Sequence, residues 1–444
     1  MSEPLTFPSG FLWGTASSAY QIEGSVDADG RGPSIWDTFS HRTGATRNGD
    51  TGDVACDHYR RLPQDLDLLG ALGAGAYRFS VSWSRVQPTG KSPANEVGLD
   101  FYRALVDGLR ARGIVPVATL YHWDLPQALE GAGGWVARDT AERFAELAGI
   151  VAAALGDRVG RWTTLNEPWC SAWLGYGAGT HAPGRQDLGA AAAATHHLLL
   201  GHALALDALR AAVPHAPVGI TLNLAPVRAA SGHPDDLAAA RRLDGNLNRL
   251  FLEPIFSGAY PEDVLEHYRG HGPGFSVVRA GDLEAISRPI DFLGVNYYRP
   301  ELVAAAGRTV EAQAAGWWVV PADHDAINGD LGVRTVVRPE TARTQMGWPI
   351  EAGGLTELLV GLQRDHGPIP MYVTENGAAF ADYVGPDGTI HDNERIAYLD
   401  AHLRAAHDAI AKGVDLRGYF VWSLLDNFEW AHGYQHRFGL VWVD

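Results

Sequence analysis

Cysteine is almost absent from this chain of 444 residues, which has only Cys56 and Cys170. Two thiols so far apart build neither a disulfide framework nor a zinc motif, and they read as reduced thiols in a reducing, cytoplasmic compartment. Clustered positive charge is missing too. The 35 Lys and Arg are outnumbered by 52 Asp and Glu, for a net charge of −17, and no basic tract interrupts the balance. Nucleic acid and anionic membrane surfaces both demand such tracts, so neither is expected as a partner. The acidity is read as solubility. The N-terminus, MSEPLTFPSG, lacks a basic stretch followed by an apolar core, so no secretion signal is expected. Nor is there a long uncharged apolar run. The nearest, LGAAAAATHHLLLGHALALDALRAAV (188–213), contains His196, His197, His202, Asp207 and Arg210, which hydrocarbon would penalise. It predicts a long Ala-rich helix packed in a globular fold, with its histidines on the surface. Without partnering Cys, Asp or Glu at ligand spacing they suggest no metal.

What is present is ordinary globular composition, 46% hydrophobic and 20% charged, in a chain long enough to bury a large core. Short β-branched or aromatic runs recur, each ending in polar residues. They are FLWGTASSAYQ (11–21), AYRFSVSW (76–83), VPVATLYHW (115–123), RWTTLNEP (161–168), VGITLNLAPV (218–227), DFLGVNYY (291–298), MYVTENG (371–377) and GYFVWSLLDN (418–427). Helix-like stretches such as 139–156 and 394–410 lie between them. Alternation at this scale predicts a parallel sheet, and eight strands predict a closed (β/α)8 TIM barrel of the α/β class. Residues 301–345, with Gly316, Trp317 and Trp318, are read as extended loops at the C-terminal face. No linker or low-complexity tract marks a boundary, so residues 1–444 are taken as one catalytic domain.

In such barrels the C-terminal strand ends carry the site, above an interior packed by apolar layers. Glu167 ends the fourth run and Glu375 the seventh, so both face the same mouth. One Glu at a strand end is most often a solvated residue or a helix cap. Two, each beside an Asn, suit glycoside hydrolysis: one is the general acid on the leaving oxygen, the other nucleophile or base. Like charge and partial burial then raise one pKa and leave the other group ionised. Asn166 is placed to hydrogen-bond a sugar 2-hydroxyl, and Arg78, ending the second run, to keep Glu375 ionised. Aromatic residues gather at the same strand ends: His122 and Trp123, Trp169, Tyr298, Trp348, Trp422, Trp430 and Phe438. Several of the 14 tryptophans must be core. Their mixture with Glu429, His122 and Gln21 nevertheless suits a sugar, which offers apolar C–H faces as well as hydroxyls.

At these residues the sequence resembles glycoside hydrolase family 1, the family of β-glucosidases and relatives. The resemblance rests on FPSGFLWGTASSAYQIEG (7–24), YRFSVSWSR (77–85), YHWDLPQ (121–127), TLNEP (164–168), VTENG (373–377) and WSLLDNFEW (422–430), and so spans nearly the whole chain. It implies a retaining mechanism with Glu167 as acid/base and Glu375 as nucleophile, the two carboxylates about 5 Å apart. It further implies a substrate-binding set of Gln21, His122, Trp123, Asn166, Asn296, Tyr298, Trp348, Trp422, Glu429, Trp430 and Phe438. Arg78 would support the nucleophile, while Trp169 and His181 would lie on the aglycone side. No metal or cofactor is implied. The expected substrates are β-glucosides and short oligosaccharides, with tolerance for galactose or fucose and a place in cellulose breakdown. Relatives that cleave 6-phospho-sugars replace the carboxylate at Glu429, which would repel a phosphate dianion, so that alternative is disfavoured. A glycan-binding pseudoenzyme is the other alternative, though both glutamates are retained. Family members usually continue past a segment like RFGLVWVD into a last helix, which would be lacking here. A homo-oligomer is left open.

Overall fold

Each of the eight runs forms a strand, because short β-branched and aromatic segments bounded by turn residues fit a sheet buried on both faces. The computed structural model describes residues 4–91, 93–307, 318–319 and 325–444. Its first six strands are β1 (Leu12–Ala16), β2 (Ala76–Ser80), β3 (Val115–Tyr121), β4 (Arg161–Asn166), β5 (Val218–Asn223) and β6 (Val227–Ala229). The remainder are β7 (Phe292–Asn296), β8 (Glu301–Ala305), β9 (Trp318–Val319), β10 (Val333–Val337), β11 (Met371–Asn376) and β12 (Leu416–Trp422). Eight of them close into a barrel in the order β1-β12-β11-β7-β5-β4-β3-β2, with every pairing parallel. The seam joins the two ends of the chain, running from Leu12 opposite Gly418 to Ala16 opposite Trp422. The barrel predicted from the sequence is therefore the fold observed.

Amphipathic helices cover the outside. Glu96–Ala111 buries Leu99, Tyr102, Leu105, Val106 and Leu109, a spacing that places one apolar stripe against the strands. The predicted stretches 139–156 and 394–410 correspond to helices Arg138–Leu155 and Asn393–Ala411.

The Ala-rich helix is observed as Leu188–Ala212, but its histidines are not on the surface. His196, His197 and His202 are buried. His196 contacts Tyr260 and Asp282, His197 the carbonyl of Trp135, and His202 the Thr164 hydroxyl. The correction follows from the helix's composition: it is apolar nearly all round, and such a helix is enclosed rather than laid on the surface. Among the described residues, no helix is long and apolar enough to cross a membrane.

Residues 301–345 also differ from their reading as loops. Strands β8, β9 and β10 join β6 in a four-stranded sheet of order β6-β8-β10-β9, and the short helix Asp325–Asp330 leads into β10. The alternating runs ELVAA and VRTVV are the signal for it. Gly316 and Trp317 lie outside the described residues, and of Trp318 only its place in β9 is described.

Candidate active site

The two glutamates sit where strands depart from regular register. Between β4 and β5 the pairing slips between Thr163 and Asn166, and between β7 and β11 it slips between Val373 and Glu375. Such bulges re-aim a side chain at a barrel rim. Glu375 thereby comes to pair with Asn296. Glu167 follows β4 directly, in left-handed backbone conformation (φ 46°), as do Trp123 (φ 74°) and Trp430 (φ 48°) at the same mouth. Non-glycine residues are strained there, by about 1–3 kcal/mol each, and stay only where the surroundings dictate the geometry.

The hydrogen bonds around the pair are unequal. Arg78 Nη1 donates to Glu375 Oε1 at 2.6 Å, and the Tyr298 hydroxyl donates to Glu375 Oε2 at 2.7 Å. The second guanidinium nitrogen, Nη2, donates to Asn166 Oδ1 at 2.6 Å. Glu167 is held by neutral groups instead. Its Oε1 accepts from Asn296 Nδ2 at 2.6 Å and its Oε2 from Cys170 Sγ at 3.2 Å. Asn296 is itself oriented by the Thr374 hydroxyl, 2.7 Å from its Oδ1. That approach is open because residue 294 is glycine: a Cβ there would lie 2.3 Å from Thr221 Oγ1 and 2.9 Å from Thr374 Cγ2.

Both carboxyls are buried, at 5% and 3% exposure. Burial and the neighbouring charge of Glu375 push Glu167 up to about 8. Burial raises Glu375 as well, but Arg78, Tyr298 and Asn296 oppose it there. The proton of the pair therefore resides on Glu167 and the charge on Glu375. His122 is held well below the usual histidine range by burial and by Arg78, and so is neutral. With Asn166 Nδ2 donating to its Nε2 at 3.0 Å, its ring proton sits on Nδ1.

A cavity of about 310 Å³ opens over the glutamates. Of the residues predicted from the sequence, His122, Trp123, Glu167, Trp169, His181, Asn296, Tyr298, Trp348, Glu375, Trp422, Glu429, Trp430 and Phe438 line it. The His122 ring stacks near Trp422 and Trp430, with centroids 5.8 and 5.9 Å away, and Trp123 lies 4.6 Å from Trp430. Arg78, Asn166 and Gln21 stand behind this wall. Gln21 Nε2 donates to Asn427 Oδ1 and to the Phe428 carbonyl, each at 2.9 Å, while its Oε1 accepts from Ser18. Gln21 thus anchors the segment that presents Glu429 and Trp430.

Sequence reasoning missed Cys170, Asn223, Arg299, Glu301 and several leucines, which also line the cavity. Cys170 has a signal, since it lies three residues after Glu167 at the start of a wide-turned helical segment, Cys170–Ala178. The others come from segments without a motif.

The model of glycosyl hydrolase family 1 matches residues 3–444. Thermostable beta-glucosidase B of Thermobispora bispora is 51% identical, over 99% of this chain and 87% of its own length. The bifunctional beta-D-glucosidase/beta-D-fucosidase of Bifidobacterium breve is 48% identical, over 99% of this chain and 94% of its own. Among solved structures, a psychrophilic beta-glucosidase from Micrococcus antarcticus superposes with a TM-score of 0.92 at 49% identity, covering 99% of this chain and 93% of that one. With barrel, paired glutamates and similarity running together over its whole length, the chain belongs to glycosyl hydrolase family 1.

Proposed function

We propose that this enzyme is a retaining β-glucosidase that removes terminal non-reducing β-D-glucosyl residues, with some action on β-galactosides and β-fucosides. One observation carries the reading: of two buried carboxyls joined through Asn296, Glu375 is the one paired with a cation. Glu375 then attacks the anomeric carbon while the protonated Glu167 gives its proton to the departing oxygen. The glycosidic C–O bond breaks as an ester bond forms to Glu375. Esterification removes the charge that had raised Glu167, so its pKa falls and it takes a proton from water in the second step. Water adds to the anomeric carbon, Glu375 leaves as carboxylate, and the sugar departs with its original β configuration.

The glucosyl ring is assigned to the end of the cavity bounded by Trp422, Glu429, Trp430 and His122. Aromatic faces there meet C–H surfaces, while His122 and Glu429 address hydroxyls. The negative charge of Glu429 supports an unphosphorylated sugar. Few hydrogen bonds separate glucose from its C4 and C6 variants, which supports broad sugar tolerance. The beta-glucosidase and beta-fucosidase names of the relatives agree with it. We also read residues 1–444 as one catalytic domain, and the two free thiols as fitting a cytoplasmic setting.

The test is proton NMR of an aryl β-D-glucoside during early hydrolysis. β-Glucose released first is expected. α-Glucose first would mean that water attacks directly and would remove the nucleophile role from Glu375.

A further inference from the structure

The hydrogen bonds beneath the glutamates have a direction, and a guanidinium sets it. Arg78 has only donors, so the Asn166 atom that its Nη2 meets at 2.6 Å is the oxygen, Oδ1. Asn166 Oδ1 also lies 3.1 Å from the Asn296 amide, which must therefore present its nitrogen, Nδ2. The same Nδ2 donates to Glu167 Oε1 at 2.6 Å. Asn296 Oδ1 then faces the other way and accepts the Thr374 hydroxyl proton at 2.7 Å. Arg78, Asn166, Asn296 and Thr374 are each no more than 1% exposed, which keeps water from competing for these bonds.

Thr374 reaches Asn296 because of the slip between β7 and β11. Val373 pairs with Val295 and Glu375 with Asn296, which makes Thr374 the extra residue of the bulge. Regular alternation would turn Thr374 and Glu375 to opposite faces, whereas here both meet groups of one site. Thr221 Oγ1, on β5, donates to Thr374 Oγ1 over a long 3.4 Å, which leaves the Thr374 proton for Asn296.

A carboxyl oxygen that accepts so short a bond from a fixed N–H is the poorer place for the acid proton, which goes to the other oxygen, Oε2. We infer that Thr374 is a positioning residue for the acid step: by holding Asn296 Nδ2 on Glu167 Oε1, it keeps the proton on Oε2, from which it passes to the leaving oxygen. This rests on the β-glucosidase reading, in which Glu167 is the acid. Glu167 Oε2 has the Cys170 thiol 3.2 Å away, a weak donor, so it can release its proton without breaking a strong bond. Without the Thr374 hydroxyl, Asn296 Oδ1 is a buried acceptor that has lost its donor, and the amide gains by turning. An amide oxygen brought against Oε1 draws the proton there, to the wrong side of the carboxyl.

A leaving group that needs no proton separates this role from simple support of the strand. The experiment measures kcat/KM on phenyl and 2,4-dinitrophenyl β-D-glucosides for the native enzyme and its Thr374 variants. Thr374→Val keeps the shape and removes the hydroxyl. It should lower the phenyl glucoside rate about tenfold, as a buried acceptor without its donor implies, and the dinitrophenyl rate by less than about twofold. Thr374→Ala makes the same comparison without the second methyl, should valine prevent folding. Thr374→Ser keeps the hydroxyl and should return the ratio of the two rates to within about twofold of native. Thr221→Val should change that ratio least, because its contact is long. An equal fall on both glucosides in Thr374→Val or Thr374→Ala would overturn the inference, leaving Thr374 a support for the strand that carries Glu375. So would unchanged rates, or a Thr374→Ser as selective as Thr374→Val. A native enzyme inert on both glucosides would instead remove the β-glucosidase reading beneath it.

Discussion

The two ends of the cavity are built on opposite plans. Behind the glucosyl end, polar groups are wired to one another: Gln21 to Asn427 and Phe428, His122 to Asn166, Asn166 to Arg78, Arg78 to Glu375. The other end is lined mainly by Leu174, Leu224, Leu243, Leu247 and Val337, with Asn223, Thr335 and the Arg299–Glu301 ion pair among them. A wired site loses catalysis when any member is removed, because each positions the next. An apolar wall gives way by degrees, in proportion to the apolar area that a substitution removes. The comparison separates substitutions that should strike kcat from those that should move only KM.

The largest effect is expected from Glu375→Ala, which removes the nucleophile and should lower kcat by on the order of 10⁴-fold or more, read with an aryl glucoside. Glu167→Ala should follow, with a loss of about 10²–10⁴-fold for poor leaving groups and much less for a dinitrophenolate that departs unprotonated. If both substrates lost equally, Glu167 would not be the proton donor.

The pH profile tests the asymmetry of the pair. Glu167 must carry its proton, and its pKa is raised to about 8, so kcat/KM should hold below that value and fall as the pH rises through it. The acid limb belongs to Glu375, which must lose its proton. In Glu375→Gln the like charge is gone, so the Glu167 titration followed by NMR should move downward. Tyr298→Phe removes one donor to Glu375 while leaving Arg78, and should cost roughly tenfold in kcat. The smallest effect is expected on the apolar wall: Leu247→Ala should raise KM for an aryl glucoside about fivefold and leave kcat nearly unchanged. A large fall in kcat there would break the division between the two ends.

Much of the wired end is legible in the sequence, because its residues sit at the polar ends of strand-like runs and within the TLNEP and VTENG motifs. The barrel is legible for the same reason, since eight short β-branched runs alternate with helix-like stretches. The bulges that aim Asn166 and Glu375 are not, because a register shift depends on the neighbouring strand and leaves the local pattern intact. The leucine wall is silent as well: Leu243 and Leu247 look like any core face of a helix. Glu301 opens the run ELVAA with no motif around it, and only folding brings it to the cavity wall. The histidines of Leu188–Ala212 are misplaced by a reading of single letters, since a polar residue suggests exposure even where its neighbours are apolar on every side.

The barrel seam has a consequence for how the enzyme comes into being. β1 finds one of its two partners only in β12, and the amide of Gln21 grips Asn427 and Phe428, 406 and 407 residues further along. A nascent chain leaving the ribosome can assemble helices and neighbouring strands early, but the first strand must wait with one edge open until the last is made. Bridging so long a separation is slow and leaves an unpaired edge exposed in the meantime. The sugar pocket is therefore the last part of the molecule to exist, and activity should appear at the moment the barrel closes rather than growing as the chain lengthens.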